Sequence, residues 1–392
     1  MSRRGATVSA GVPWSGADTS SRLGTGWEPA VLLLLTVMLL AIGIVSVYSA
    51  SAVMAQSHGL PDYHFVVRQV TGAALGLVLL VGTAFLDYRR LRMFAWPMLL
   101  VLLAVLFVMI LPGMRDVAEF RNGAGRWLRI GPVAIQPSEF AKLVLIIWTA
   151  ALAVKKQDRL GSLFRGLLPF LVVWAPVSLL IFLQPSMSAA LLVVLLSALV
   201  VFAAGARIGH FILLGCVAVP ILWSQVGAAA YRMRRIVAFF DPATDPAGMS
   251  YQINQALIAI GSGGIFGRGF GRGVQKFGYL PEPHNDFLFA MIGEEWGFIG
   301  ALVVISLFAA FALVGFRIAR YAPDLFGFLL AVGVTCLIAV QAMLHIAVNL
   351  ALIPTTGVTL PFLSYGRSSL LVCLLGTGIL MNVGRRAAEV AE

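Results

Sequence analysis

Ten apolar runs, most of them about as long as a bilayer is thick, constrain this chain more than any other feature. They fall at about 29–51, 66–86, 93–112, 138–154, 167–184, 187–204, 208–228, 286–315, 325–352 and 367–383. A helix crossing the hydrocarbon core needs about 20 predominantly apolar residues. Apolar residues make up 60% of the 392, and charged residues only 11%. An ordinary soluble domain carries about 45–50% and about 25%. The composition therefore excludes a soluble globular enzyme, a disulfide scaffold and a disordered chain. The expected fold is all-α, a polytopic membrane protein of about ten spans with a large outer loop between spans seven and eight. The fifth and sixth runs are separated only by Gln184-Pro185-Ser186, a break that proline imposes on a helix. No internal repeat is evident, so an inverted-repeat transporter gains no support.

Three segments lie outside or between these runs. Residues 1–26 are rich in Ser, Gly and Thr and read as a disordered cytoplasmic tail. Residues 27–386 form the transmembrane domain, with outer loops at 113–137 and 229–285, and 387–392 form a short cytoplasmic tail. Cys216, Cys336 and Cys373 lie in apolar runs and read as small core hydrophobes.

Charge places the loops. With ten spans both termini share one side, and putting them in the cytoplasm makes the short loops obey the positive-inside rule. Yet ten of the 28 basic residues then fall in the two long outer loops. Long translocated loops are exempt from the rule, but an anionic ligand is the natural reason for so many cations there.

The loop before the fourth span holds Arg126, Trp127 and Arg129. It reads either as an interfacial belt with Trp as anchor or as a pocket for a phosphate head group, since guanidinium binds phosphate bidentately. Ser138, Glu139 and Lys142 then open the span; the i,i+3 spacing of Glu139 and Lys142 puts them on one helix face. They are as readily an internal ion pair as a substrate contact. The 229–285 loop begins with the basic cluster YRMRR and continues through an amphipathic stretch to eight glycines between 261 and 278. These glycines do not have dinucleotide-binding spacing. Near Arg268, Arg272 and Lys276 they read either as turns or as a phosphate-binding run of backbone N–H groups. His284 reads first as a structural histidine. Asp286 introduces an apolar helix that also carries Glu294 and Glu295, and a carboxylate in that position is a functional-site hypothesis by default.

Four blocks, RWLRIGPVAIQPSEFAKL (126–143), DPAGMSYQINQALIAIGSGGIFGRGFG (245–271), LPEPHNDFLFAMIGEEWGFIG (280–300) and LIPTTGVTLPFLSYGRSSLL (352–371), carry a resemblance. In this order they resemble the SEDS family (shape, elongation, division and sporulation; the FtsW, RodA and SpoVE proteins), membrane glycosyltransferases that polymerise lipid II into peptidoglycan. The likeness runs from about residue 29 to 384 and is greatest to the division branch. Three motifs depart from the family pattern: Ser186 stands where it has Asp, with Ser188 for Gly; Arg367 stands in SYGRS where it has Gly; and the HTD motif reads His284-Asn285-Asp286.

The resemblance implies Asp286 as the catalytic carboxylate. It also implies a substrate cavity using Trp127, Arg126, Arg129, Glu139, Lys142, Arg268, His284, Gln184, Ser364 and Tyr365. The implied partners are lipid II, a class B penicillin-binding protein that packs against spans eight and nine, other divisome proteins and the membrane itself, with no nucleic acid. The implied location is the bacterial cytoplasmic (inner) membrane at the septum. No metal site and no resident cofactor is expected, while a divalent cation on the pyrophosphate is compatible with the residues. Two other functions share these features: a lipid II flippase, and a scaffold that recruits a transpeptidase without chemistry of its own.

Overall fold

The computed structural model describes residues 26–111, 118–121, 124–131, 133–227, 230–241 and 248–391. The expected tail at 1–25, and parts of both outer loops including the Asp-Pro turns at 241–246, therefore lie wholly or largely outside the described residues.

All ten apolar runs are helices: α1 (Glu28–Ser57), α2 (His64–Phe85), α3 (Leu91–Val108), α4 (Pro137–Lys155), α5 (Leu168–Leu183), α6 (Met187–Ala203), α7 (Ile208–Gly227), then α10 (Leu288–Arg320), α11 (Leu325–Asn349) and α12 (Arg367–Ala391). Between them lie α8 (Ala230–Phe240) and α9 (Met249–Gly263). Among the described residues nine helical segments are long and apolar enough to cross a membrane, and α6 is a shorter apolar helix. The chain is a polytopic membrane protein. Helix α12 runs on to Ala391, so most of the segment read as a C-terminal tail continues the last span.

Among the described residues the strands fall in one place. The loop before α4 forms an antiparallel sheet of β1 (Ala118–Arg121), β2 (Ala124–Ile130) and β3 (Val133–Ile135), in that order. Register pairs Glu119 with Trp127 and Arg129 with Ala134, with an irregularity after Glu119.

The centre of the bundle is built from α4, α11 and α12, whose most apolar windows are 72%, 78% and 83% buried. Helices α4 and α12 are also the least hydrophobic of the spans, whereas α1, the most hydrophobic, is less than half buried. This is the sorting a bilayer imposes, because lipid tails reward apolar surface and leave the polar and small residues to meet each other inside. Close approach depends on glycine: a Cβ at Gly333 of α11 would lie 2.4 Å from Ile146 of α4. Helix α7 is the opposite case, with no buried residue in its apolar window. Cys216, on α7, is accordingly exposed and not a core residue, whereas Cys373 on α12 is buried.

Helix α10 is broken. Gly297 has φ +70°, which stops the helical ladder and frees backbone groups on both sides. The loop after α9 takes them up. Arg268 and Gly269 N–H donate to the carbonyls of Glu294 and Glu295, both at 3.0 Å, while Phe298 and Ile299 N–H donate to Gly264 O (2.9 Å) and Ile265 O (3.2 Å). Irregular backbone inside a membrane protein is tolerated where protein satisfies it in this way.

Candidate active site

Asp286 lies in a turn just ahead of α10, not on the helix, so it does not share a helix face with Glu294. Its N–H donates to Glu282 O at 3.2 Å, closing the turn. Two other elements hold that turn in place. From the segment after α11, Ser364 Oγ donates to Asn285 O (2.8 Å), Tyr365 N–H donates to His284 O (3.0 Å), and Leu360 N–H donates to Ser364 Oγ (3.0 Å). From α11, Asn349 Nδ2 donates to Asp286 O at 3.2 Å. His284 is buried in an aromatic group, 4.6 Å from Phe65 and 5.4 Å from Tyr365 by ring centroids. Gln69 of α2 adds a bond from Nε2 to Ser364 O at 3.2 Å. His284, Asp286, Ser364 and Tyr365, named separately in the sequence, are therefore one assembly.

The electrostatics divide the pair of titratable residues. Burial among rings pushes the His284 imidazole down to about 4, so it is neutral at physiological pH. Burial pushes the half-buried Asp286 carboxyl up to about 6; Glu282 adds to the rise and Arg235 of α8 opposes it. Arg235 also donates to Thr355 O at 3.2 Å. A Cβ placed on Gly357 would sit 4.0 Å from Asp286 Oδ2, so the 355–358 segment borders the carboxylate itself.

The remaining candidates separate into three places. Glu139 and Lys142 form a buried ion pair at 2.8 Å on α4. The start of that helix is tied to α12 by a bond from Gln136 N–H to Ser368 Oγ at 2.9 Å. Arg126, on β2, spans the α5–α6 break, donating from Nε to Gln184 O (3.0 Å) and from Nη2 to Pro185 O. The Gln184 side chain turns inward to Leu106 O at 3.3 Å. On the same strand Trp127 is half-buried and Arg129 exposed. Arg268 sits at the α10 break, 3.7 Å from Glu294.

The glycine-rich loop does form an anion-binding run of N–H groups, but the anion is the protein's own. Val274 and Gln275 N–H donate to the Glu294 carboxylate at 2.8 and 3.3 Å, and Gly273 N–H to Glu295 at 3.4 Å. Glu295 also pairs with Lys276 at 3.0 Å. Glu294 and Glu295 are thus both committed to holding the loop on the broken helix. Among the described residues no three His, Cys, Asp or Glu side chains come together as metal ligands do.

Arg235, Asn349 and His345 were not among the residues singled out from the sequence. Asn349 and His345 carry a signal all the same, being polar side chains inside an apolar span. Arg235 could be seen only as one member of a basic cluster.

Comparison with known proteins gives the arrangement its context. Residues 30–389 match the sequence family described as cell cycle protein, FtsW/RodA/SpoVE. The probable peptidoglycan glycosyltransferase FtsW of Trichlorobacter lovleyi is 44% identical over 353 residues, covering 90% of this chain and 92% of that one. The stage V sporulation protein E of Bacillus subtilis is 41% identical over 355 residues, covering 91% and 96%. Among solved structures, the rod shape determining protein RodA of Thermus thermophilus superposes with a TM-score of 0.66 at 29% identity, covering 92% of this chain and 96% of that one. A chain from a peptidoglycan synthase complex, solved for its coordination of polymerization and crosslinking, reaches 0.74 at 29% identity, covering 91% and 98%. The chain belongs to the FtsW/RodA/SpoVE family of cell cycle proteins.

Proposed function

We propose that this chain is a peptidoglycan glycosyltransferase that polymerises lipid II at the outer face of the cytoplasmic membrane, in septal wall synthesis. The observation that carries the reading is the Asp286 turn. A half-buried carboxylate with its pKa raised to about 6 is ionised near neutrality yet more basic than an ordinary aspartate. It accepts the proton of the GlcNAc 4-hydroxyl as that oxygen bonds to the anomeric carbon of the growing chain. The bond from that carbon to undecaprenyl pyrophosphate breaks in the same step, and the diphosphate leaves with the electron pair. Cations stabilise the leaving charge. Arg129, exposed on the sheet, and Arg235, beside Asp286, are the chain's contributions to that neutralisation. Glu139 and Lys142 neutralise each other, and Arg126 ties the α5–α6 break to the sheet.

A flippase would need a polar path through the bundle. The buried carboxylates of the spans are instead matched by cations of the chain, Glu139 by Lys142, Glu295 by Lys276 of the loop after α9 and Glu28 by Arg317. The relative solved in a peptidoglycan synthase complex supports a second protein at work beside this one. We assign that role to a class B penicillin-binding protein whose single span packs against α10 and α11.

Purified protein incubated with fluorescent lipid II, with and without such a partner, tests the reading. Glycan ladders from the wild type, reduced at least about 100-fold in Asp286→Asn, are the expected result. Transport in proteoliposomes without ladders would replace it with the flippase, and recovery of no penicillin-binding protein after gentle crosslinking would remove the partner.

A further inference from the structure

One face of α11 reaches both the Asp286 turn and the 355–358 segment that borders its carboxylate. His345 and Asn349 stand one helical turn apart, at i and i+4, and both are buried. Asn349 uses its whole amide. Its Oδ1 accepts from Ala290 N–H at 3.0 Å, and its Nδ2 donates to Asp286 O at 3.2 Å and to His345 O at 2.8 Å. Ala290 lies in the first turn of α10, where an N–H has no partner within its own helix. Asn349 therefore caps α10 and grips the residue two places before it. His345 holds the 355–358 segment: its Nδ1 lies 2.8 Å from Val358 O. A carbonyl only accepts, so Nδ1 carries the hydrogen. Val358 adjoins Gly357, the residue that borders Asp286 Oδ2.

We propose that Asn349 and His345 are positioning residues for glycan polymerisation, fixing the Asp286 turn and the Gly357–Val358 segment against each other so that the carboxylate keeps one direction toward its substrate. This rests on Asp286 being the base. Asn285 and Asp286 N–H close the turn on Glu282 O at 3.1 and 3.2 Å, and Tyr365 N–H holds His284 O, but none of these bonds ties the turn to the Gly357–Val358 segment. A side-chain clamp on rigid α11 supplies the rest, in the way that supporting groups hold a reacting group in its productive geometry. The charged groups that act on the carboxylate are Glu282 on its own loop and Arg235 on α8; His284 lies two residues before it, and Asn349 and His345 of α11 bond the Asp286 and Val358 carbonyls.

The test compares Asn349→Ala, His345→Leu, His345→Gln and Gln341→Met in purified full-length protein with fluorescent lipid II. Gln341 is buried one turn deeper on α11, and neither of its amide atoms has a partner among the described residues, so it serves as the control. The expected result is a kcat about 10-fold or more lower in Asn349→Ala and His345→Leu, with KM within two-fold of the wild type. The acid limb of the kcat–pH profile moves to lower pH as the loosened carboxylate gains water. His345→Gln, which keeps an N–H donor for Val358 O, recovers most of the rate, and Gln341→Met changes nothing. Hydrogen exchange at the Ala290 amide rises in Asn349→Ala even if turnover is too low to measure. A rate loss that follows the folded fraction, with an unmoved pH limb and unchanged exchange at Ala290, would overturn the proposal. Asp286→Asn and wild type run alongside: ladders from both would instead sink the assignment of the base.

Discussion

The Lys276 ammonium lies 3.0 Å from the Glu295 carboxylate, with both side chains buried where α10 is broken. Ser49 of α1 joins them, its hydroxyl 2.6 Å from Glu295 Oε1 and 3.1 Å from Lys276 Nζ. Removing one member of a buried pair strands the other charge, which costs about 3–5 kcal/mol, while replacing both with apolar groups is often neutral. Lys276→Met should therefore lower thermal stability in detergent sharply. Lys276→Met combined with Glu295→Leu should recover most of it. A double variant no more stable than the single would show that the pair does more than neutralise itself.

The break itself gives a paired prediction. Gly264 and Gly297 both have positive φ, +58° and +70°, with ψ of −146° and −163°, a backbone region open essentially to glycine alone, so an alanine at either would cost about 1–3 kcal/mol. The space differs. A Cβ at Gly264 meets nothing within 4 Å, whereas one at Gly297 would lie 2.3 Å from Gly267 N and 2.5 Å from Ile265 O. Those atoms belong to the backbone and cannot turn aside. Gly297→Ala should lose clearly more stability than Gly264→Ala in parallel melting curves, and equal losses would count against the loop-to-helix ladder.

These two cases show what the sequence could and could not disclose. The spans were legible because a run of apolar residues needs no partner to announce itself, and all ten became helices. The central position of α4 and α12 was foreshadowed by their lower hydropathy. The strands at 118–135 were not legible, because short segments rich in Arg and Gly carry no clear two-residue period. Asp286 stood out by its place before an apolar helix and Ser364 and Tyr365 only through motif likeness, yet their assembly with His284 depends on hydrogen bonds between segments about 80 residues apart. The partner of Glu295 was unreadable for the same reason: Lys276 comes to it only because Gly297 lets the loop cross α10.

The two arginines of β2 should separate. Arg126 gives its guanidinium to two backbone carbonyls at the α5–α6 break. Arg129 is exposed and has no partner among the described residues. Hydrogen bonds to a charged group contribute about 1.5–3 kcal/mol each. Arg126→Ala should thus lower the melting temperature while the folded remainder keeps its KM for lipid II. Arg129→Ala should leave melting unchanged and raise KM about 10-fold or more. The reverse pattern would move the pyrophosphate contact from Arg129 to Arg126.

The pH dependence of polymerisation should report the surroundings of Asp286. Only the ionised carboxylate accepts a proton, so the rate should fall as pH drops through about 6, the value to which burial raises this group. His284, held down to about 4, stays neutral throughout that window and cannot produce the limb. Two charges tune it in opposite senses. Glu282 raises the carboxyl pKa by repelling the ionised form, and Arg235 lowers it by attraction. Glu282→Gln should therefore move the acid limb to lower pH, and Arg235→Gln should move it higher. Glu282 is about half exposed, so water and salt screen its effect, and its shift should shrink in high salt. Arg235 is more enclosed, and its shift should persist. Arg235→Gln also removes a cation from beside the leaving diphosphate, so its plateau rate should drop as well, whereas the Glu282→Gln plateau should hold. Limbs that stay fixed in both variants would mean that another group, not Asp286, takes the proton.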